Sequence, residues 1–430
     1  MAVFGLLGEH LGHSYSPQIH EMLGSAPYAL FEKSPQEVEA FIREGAWDGI
    51  NVTIPYKRIA AALADERSPR VEALGAANTL VRRPDGTIFA ENTDVMGFEK
   101  LLDAFCADKL GTTPQEAFSG KQAMVLGTGG ASTAVAYVLE KIVGMEVRFL
   151  SHADLDFYRD FDARLCLDAS DTALLVNTTP VGMAPNCPES PVEHWLLGPE
   201  PHGMNRLMGV IDIIYNPRIT GLCFNAHSKQ IPWASGLDML VWQAVHASEL
   251  FQEKPIDADA ARRVIDSIGK RMLNIALIGM PGCGKSTTGR ELADMLSRPF
   301  VDLDDAFAER YGRTPAEVIE SRGEWPFRQL ECEVLREYGA KSGLVIACGG
   351  GVVRNKHNGY ALLHQNSSIV FLDRPLEELA TDGRPLSKSV GVEALYRQRI
   401  GDYRSWADVI VSSTGSPQGD ADAVRQALGV

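Results

Sequence analysis

At 430 residues the chain exceeds one compact domain, and roughly 150 residues per domain gives about three. Its 41 basic and 56 acidic side chains leave a formal net charge of −15, which argues against a general nucleic-acid binder. Hydrophobic residues make up 45% and charged residues 23%, ordinary globular usage, and no apolar run approaches the ~18 residues of a membrane helix. The seven cysteines are scattered, odd in number and without a CxxC pair, so a reduced, cytoplasmic setting is expected and a zinc site is not. The first residues lack a basic n-region and carry Glu9 early, unlike a signal peptide.

Strand-like and helix-like segments alternate along the chain, which predicts α/β architecture. Residues 12–17 (GHSYSP) set Ser14 and Ser16 two apart before a proline-started helix, a pattern that also serves helix capping. Residues 49–57 (GINVTIPYK) read as a strand with Asn51 and Thr53 on one face and Lys57 just beyond. Residues 75–79 (GAANT) and 91–94 (ENTD) are polar knots beside apolar runs. Each alone is more often a turn; four in succession, with a lysine and an aspartate among them, point to a site. Residues 103–118 are polar and turn-rich around Gly111 to Pro114.

Residues 121–126 (KQAMVL) form an apolar strand running into Gly127, Thr128, Gly129, Gly130, Ala131 and Ser132, and a helix is predicted over 133–143. This is a dinucleotide turn with serine at its third glycine position. The following strand, 146–150, leads to Ser151, His152, Ala153 and Asp154, with neither the acid that favours a ribose hydroxyl nor the arginine that favours a 2′-phosphate. Residues 257–268 read as an amphipathic helix with Ala261, Val264, Ile265 and Ile268 on one stripe and Gly269 as its stop, so a boundary is placed near residue 270. The expected organisation is 1–102 as a substrate and catalytic domain completed by 236–268, 103–235 as a Rossmann-type dinucleotide-binding domain, and 272–430 as a P-loop α/β domain.

That last domain opens with a strand over 273–278 and the sequence Gly279, Met280, Pro281, Gly282, Cys283, Gly284, Lys285, Ser286, which fits G-x-x-x-x-G-K-[ST]. By ordinary residue usage a chain of this length carries such a match by accident about 2% of the time, so a nucleotide is the better reading. Backbone N–H groups of Gly282, Cys283, Gly284 and Thr287 would cradle phosphates, Lys285 would neutralise them, and Ser286 would bind Mg²⁺. Residues 300–305 (FVDLDD) read as a second strand with Asp302 and Asp304 on one face. Arg328 and Glu331 stand at i,i+3 on a helix, and residues 344–351 end a strand in Gly349, Gly350 and Gly351, where close backbone approach by a ligand or a tight turn is expected.

Taken together, residues 272–430 resemble shikimate kinase through GMPGCGKST, VDLDD, GEWPFR, ACGGG, GRPL with Arg384, and Arg399 followed by Tyr403. The resemblance implies that Asp304, Arg328, Gly350 and Arg399 hold shikimate, that Asp304 orients the attacking hydroxyl, that Asp302 supports Mg²⁺, and that Arg384 reaches the ATP phosphates from a lid. That lid looks short, and a further arginine often found upstream in it has no counterpart.

Residues 3–268 resemble shikimate dehydrogenase through GHSYSP, NVTIPYK, GAANT, ENTDVMGF, VLGTGGAS, NTTPVGM, DIIYNP and GLDMLVWQA. The resemblance implies Lys57 and Asp94 as the catalytic pair. It further implies Ser14, Ser16, Thr53, Asn78 and Gln243 on the substrate, Tyr215 near it, and Gly236 beside the nicotinamide. The implied cofactor is NADP, with NAD possible. His13 and His20 read as local structure. The expected whole is a bifunctional cytoplasmic enzyme that reduces 3-dehydroshikimate with NADPH and phosphorylates shikimate with ATP, its intermediate passing by free diffusion. The alternatives are one half kept as a binding or regulatory module, and quinate with NAD at the first site. No nucleic-acid or membrane partner is expected.

Overall fold

A computed structural model describes residues 3–12, 14–151, 169–199, 203–355, 359–379 and 391–430. The first sheet combines β1 (Phe4–Gly8), β2 (Tyr28–Glu32), β3 (Gly49–Val52), β4 (Glu66–Arg67), β5 (Thr79–Arg82) and β6 (Ile88–Glu91) in the order β2-β1-β3-β5-β6-β4. β1 runs parallel to β2 and β3, whereas β5 is antiparallel to β3 and β6. A Pro84, Asp85, Gly86 turn closes the β5–β6 hairpin, with the Gly86 N–H donating to Arg83 O at 2.9 Å.

The second sheet contains β7 (Gln122–Leu126), β8 (Glu146–Leu150), β9 (Thr172–Asn177), β10 (Gly209–Asp212) and β11 (Trp233–Ser235), ordered β11-β10-β9-β7-β8 and parallel throughout. The third contains β12 (Asn274–Ile278), β13 (Phe300–Asp302), β14 (Val345–Ala347), β15 (Ser367–Asp373) and β16 (Val409–Ser412), ordered β13-β14-β12-β15-β16, again parallel. β7, β9 and β12 are buried at every position, which is why their sequences are near-continuous apolar runs rather than alternating ones. In both parallel sheets the strand carrying the glycine loop, β7 or β12, lies where the order reverses, the place where such sheets bind ligands.

Two compact units result: Met1–Pro180, Pro191–Tyr215 and Asn225–Ile268 in one, Val181–Ser190, Asn216–Phe224 and Gly269–Val430 in the other. In the first, helix Leu237–Gln252 returns to pack along helix Thr93–Phe105. Gly97 lets the two approach, since a Cβ there would stand 2.7 Å from the Met239 carbonyl oxygen. Val95, Phe98, Leu101 and Leu102 of helix Thr93–Phe105 join Ala123, Val125, Leu174 and Val176 of the second sheet in one buried core. Among the described residues no helix is long and apolar enough to cross a membrane.

Several sequence expectations shift. Helix Ala258–Met272 passes through Gly269 instead of stopping there, because burial of Ile268, Gly269 and Met272 rewards another turn more than glycine weakens it. The turn-rich 103–118 stretch is mostly helical: helix Thr93–Phe105 continues as a π-helical turn over Cys106–Leu110, and Thr113 with Glu116 forms a capping box on helix Pro114–Phe118. β13 ends at Asp302, so Asp304 stands on the first turn of helix Leu303–Tyr311 and does not share a strand face with Asp302. Asp302 instead caps that helix, accepting the Asp304 N–H at 3.0 Å.

Candidate active sites

Strand direction assembles the first site. β1 and β3 are parallel neighbours, so Ser14 and Ser16 after β1, and Thr53 and Lys57 after β3, leave the sheet at one edge. β5 starts at that edge and β6 ends there, with Asn51 opposite Thr79 and Thr79 opposite Glu91. Asn78 and Asp94 therefore join the same edge.

Lys57 begins helix Lys57–Leu63 and Asp94 lies in the first turn of helix Thr93–Phe105. The Lys57 Nζ donates to Asp94 Oδ2 at 2.6 Å, with side chains 20% and 13% exposed. Asn78 fixes the second helix: its Oδ1 accepts the Thr93 N–H at 2.7 Å and the Thr93 Oγ1 at 3.1 Å. The Asn92 Nδ2 donates to Ala76 O at 2.9 Å, so the GAANT and ENTD knots brace each other. Asn78 thus spends its oxygen on the scaffold, and its Nδ2 has no partner among the described residues.

Ser14 Oγ accepts the Ser16 N–H at 3.2 Å, while Ser16 opens helix Ser16–Met22 without side-chain capping. The Thr53 side chain is half-buried. Tyr215 follows β10 and meets Tyr15 edge-on with ring centroids 6.3 Å apart; burial, and then Tyr15, push its phenol above the usual range. Gly236 follows β11 and precedes helix Leu237–Gln252 with no room for a side chain, since a Cβ would overlap the Ile213 carbonyl. Gln243 lies on helix Leu237–Gln252 against Gly97, its Nε2 donating to Leu240 O at 2.9 Å. His20 is no part of this chemistry. It is buried, hydrogen-bonded to Ser25 at 2.7 Å and stacked on Tyr28, and burial lowers its pKa to about 3 against the opposing Asn51 side chain.

At the end of β7, Gly127 is buried while Thr128, Gly129 and Gly130 are exposed and Ala131 is half-buried. Cβ atoms on Gly129 or Gly130 would meet open space, so the N-terminus of helix Gly130–Tyr137 is accessible to an anion. Ser132 donates to Gly129 O at 2.5 Å, so the residue at the third glycine position closes the loop on itself. His13, and His152 and Asp154 after β8, lie outside the described residues.

The second site stands at the end of β12. Gly279, Gly282 and Gly284 all have positive φ, which opens the loop into a nest before helix Lys285–Leu296. Lys285 Nζ donates to the Gly279 and Met280 carbonyls, each at 3.0 Å. Cys283 is buried with its N–H donating to the Met280 carbonyl at 3.2 Å, whereas Thr287 is exposed. Ser286 Oγ donates to Asp302 Oδ2 at 2.5 Å, two hard oxygens that suit Mg²⁺.

The three glycines after β14 explain the rest. A Cβ on Gly349 would stand 2.7 Å from Asp304 Oδ1, one on Gly350 would stand 2.7 Å from Pro281 of the phosphate loop, and one on Gly351 would overlap the Arg328 guanidinium. The run thus gathers loop, acid and arginine around one backbone. Arg399 Nη1 donates to Gly350 O at 2.9 Å, and the Tyr403 hydroxyl donates to the same oxygen.

Asp304 keeps an open face to solvent although protein crowds it on most sides, as in a cleft. Desolvation, then Asp302 and Glu331, raise its pKa to about 6, against the pull of Lys285 and Arg328. Arg328 is gripped on both edges: Nη1 donates to Glu331 at 2.9 and 2.8 Å, and Nη2 to Glu324 Oε1 at 2.9 Å. Burial opposes the Arg328 charge, but the two carboxylates outweigh it. Burial raises the pKa of Glu331, whereas the Arg328 contact keeps that of Glu324 low despite partial burial. Sequence reading missed Glu324, although its i,i+4 spacing to Arg328 was visible. Arg384 lies outside the described residues.

Residues 281–429 match the family model for shikimate kinase, and residues 6–80 match that for the shikimate dehydrogenase substrate binding domain. Over 272 residues, 60% of this chain, it is 32% identical to an NADP(+) shikimate dehydrogenase of Clostridium beijerinckii and covers 94% of that protein. A shikimate 5-dehydrogenase of Thermus thermophilus, solved with NADP(H) and shikimate, superposes with a TM-score of 0.50 at 28% identity, covering 62% of this chain and 99% of that one. A quinate dehydrogenase of Corynebacterium glutamicum, solved with NAD, also gives 0.50, at 26% identity and the same coverages. The chain belongs to the shikimate dehydrogenase family over its first three fifths and carries a shikimate kinase domain after it, which makes it a bifunctional enzyme of the shikimate pathway.

Proposed function

We propose that the first site reduces 3-dehydroshikimate to shikimate with NADPH and that the second phosphorylates shikimate with ATP. The Lys57–Asp94 contact, inside an edge of hydroxyl and amide groups, carries the first reading. NADPH, when bound at Gly127 to Ala131 and beside Gly236, supplies the hydride. Hydride arrival at a ketone carbon leaves an alkoxide, and the Lys57 ammonium stabilises it and delivers its proton. Asp94 orients that ammonium. The Asn78 Nδ2, with the hydroxyls of Ser14, Ser16 and Thr53, Tyr215 and the Gln243 amide, holds the substrate's hydroxyls and carboxylate.

At the second site the nest and Lys285 hold the ATP phosphates, and Ser286 with Asp302 holds Mg²⁺. Asp304 accepts the proton of the attacking hydroxyl, and its raised pKa suits that task. Arg328 and Arg399 face the substrate carboxylate, for which Glu324, the more exposed partner of Arg328 at 48% against 8% for Glu331, must yield. A coupled assay tests the whole: NADPH consumption with 3-dehydroshikimate, then ADP release with shikimate. Absence of either turnover refutes that half.

Quinate with NAD is the second reading of the first site, favoured by the likeness to the Corynebacterium glutamicum protein. Higher kcat/KM for quinate with NAD than for shikimate with NADP would establish it.

A further inference from the structure

Arg374 follows β15 directly, and β15 is the parallel neighbour of β12, so this arginine and the phosphate loop leave the sheet at the same edge. Its guanidinium is tethered at two nitrogens: Nε and Nη2 donate to Ser413 Oγ at 3.1 and 2.8 Å, and Nη2 stands 3.5 Å from Asp420 Oδ2. Asp420 is 1% exposed and is itself fixed, since its Oδ1 accepts the Thr414 N–H at 2.5 Å and the Thr414 hydroxyl at 2.9 Å. The third nitrogen, Nη1, has no hydrogen-bond partner among the described residues. It is also the nitrogen turned to the phosphate loop: a Cβ built on Gly284 would stand 3.9 Å from it and 3.5 Å from Thr287 Oγ1.

We infer that Arg374 is a nucleotide-binding residue whose Nη1 meets the phosphate chain of ATP at Gly284 and Thr287. The inference rests on the kinase reading of this site. Lys285 serves the other end of the loop, at Gly279 and Met280, so one ammonium leaves much of the triphosphate charge unmet on this side. The tethers to Ser413 and Asp420 hold the guanidinium ready, so little rotamer freedom is lost when the nucleotide arrives. A cation anchored on the sheet edge also fits a chain whose lid lacks one of the expected arginines.

The test uses the full chain. Arg374→Gln keeps a donor for Ser413 and Asp420 but loses the charge, and it is expected to raise the KM for ATP and the Kd for ADP about tenfold. The KM for shikimate, kcat and the affinity for adenosine should stay within about twofold, and Arg374→Lys should recover part of the loss. An unchanged KM for ATP, or an equal rise in the KM for shikimate, overturns the inference. A second measurement needs no variant: ADP, but neither adenosine nor shikimate, should protect Arg374 of the wild-type chain from an arginine-specific dicarbonyl reagent, and lack of protection by ADP is equally fatal. A wild type that binds ADP but does not phosphorylate shikimate defeats the kinase reading and leaves Arg374 assigned.

Discussion

Asp304 and Arg328 show how single groups are tuned by what surrounds them. Crowding by protein and the charges of Asp302 and Glu331 raise the Asp304 pKa to about 6. With Asp304 as the unprotonated base proposed above, kinase kcat/KM should be level above pH 7, halve near pH 6 and fall about tenfold per unit below that. The folded chain binds this proton more tightly than an unfolded one, so the charged carboxylate costs stability above pH 6 and that cost fades on acidification. Asp304→Asn should therefore melt higher at pH 7.5 while losing about 10²–10⁴ of the kinase rate, and a rate profile indifferent to pH between 5 and 7 would remove Asp304 as the base. Arg328 makes a different point. Its partner Glu324 occupies the guanidinium edge proposed for the substrate carboxylate, so Glu324→Gln should lower the KM for shikimate about threefold with kcat little changed, as steady-state kinetics would read.

Between elements, close contact depends on residues without side chains. Helices Thr93–Phe105 and Leu237–Gln252 meet at Gly97, where a Cβ would stand 2.7 Å from Met239 O and 3.0 Å from the Gln243 Cβ. Gly97→Ala should destabilise the first unit by about 1–3 kcal/mol in chemical denaturation. Because Asp94 and Gln243 sit on the two helices, it should also lower the reductase kcat/KM more than a remote core change of equal cost. Glycine runs were visible in the sequence, but their partners were not. The ACGGG stretch read as a turn or a ligand approach, whereas its three α-carbons admit Asp304, Pro281 and Arg328. Asp302 and Asp304 misled for a related reason: two-residue spacing implies a shared face only inside a strand, and the strand ends at Asp302.

Across the whole molecule, two sets of chemical groups lie in different units, Lys57 and Asp94 in the first, Lys285 and Asp304 in the second. Lys57→Ala should cut the reductase rate about 10²–10⁴-fold with the kinase unaffected, and Lys285→Ala should do the reverse. Equal loss of both rates in either variant, with the melting profile intact, would contradict two separate sites.

The glycine loop before Lys285 and the α/β alternation were legible in the linear chain, because each depends on local spacing that a strand, turn or helix start converts directly into geometry, whereas Lys57 and Asp94 were paired through the family resemblance. Sequence alone also supplied the Arg328–Glu331 pair, since one helical turn joins them. The tertiary structure decided what required distant strands to meet: that Asn78 spends its oxygen on the Asp94 helix, that Lys57 reaches Asp94, and that Arg374, Ser413 and Asp420 converge beside Gly284. Such contacts join residues tens of positions apart, and only the order and direction of strands in a sheet bring them within hydrogen-bonding range.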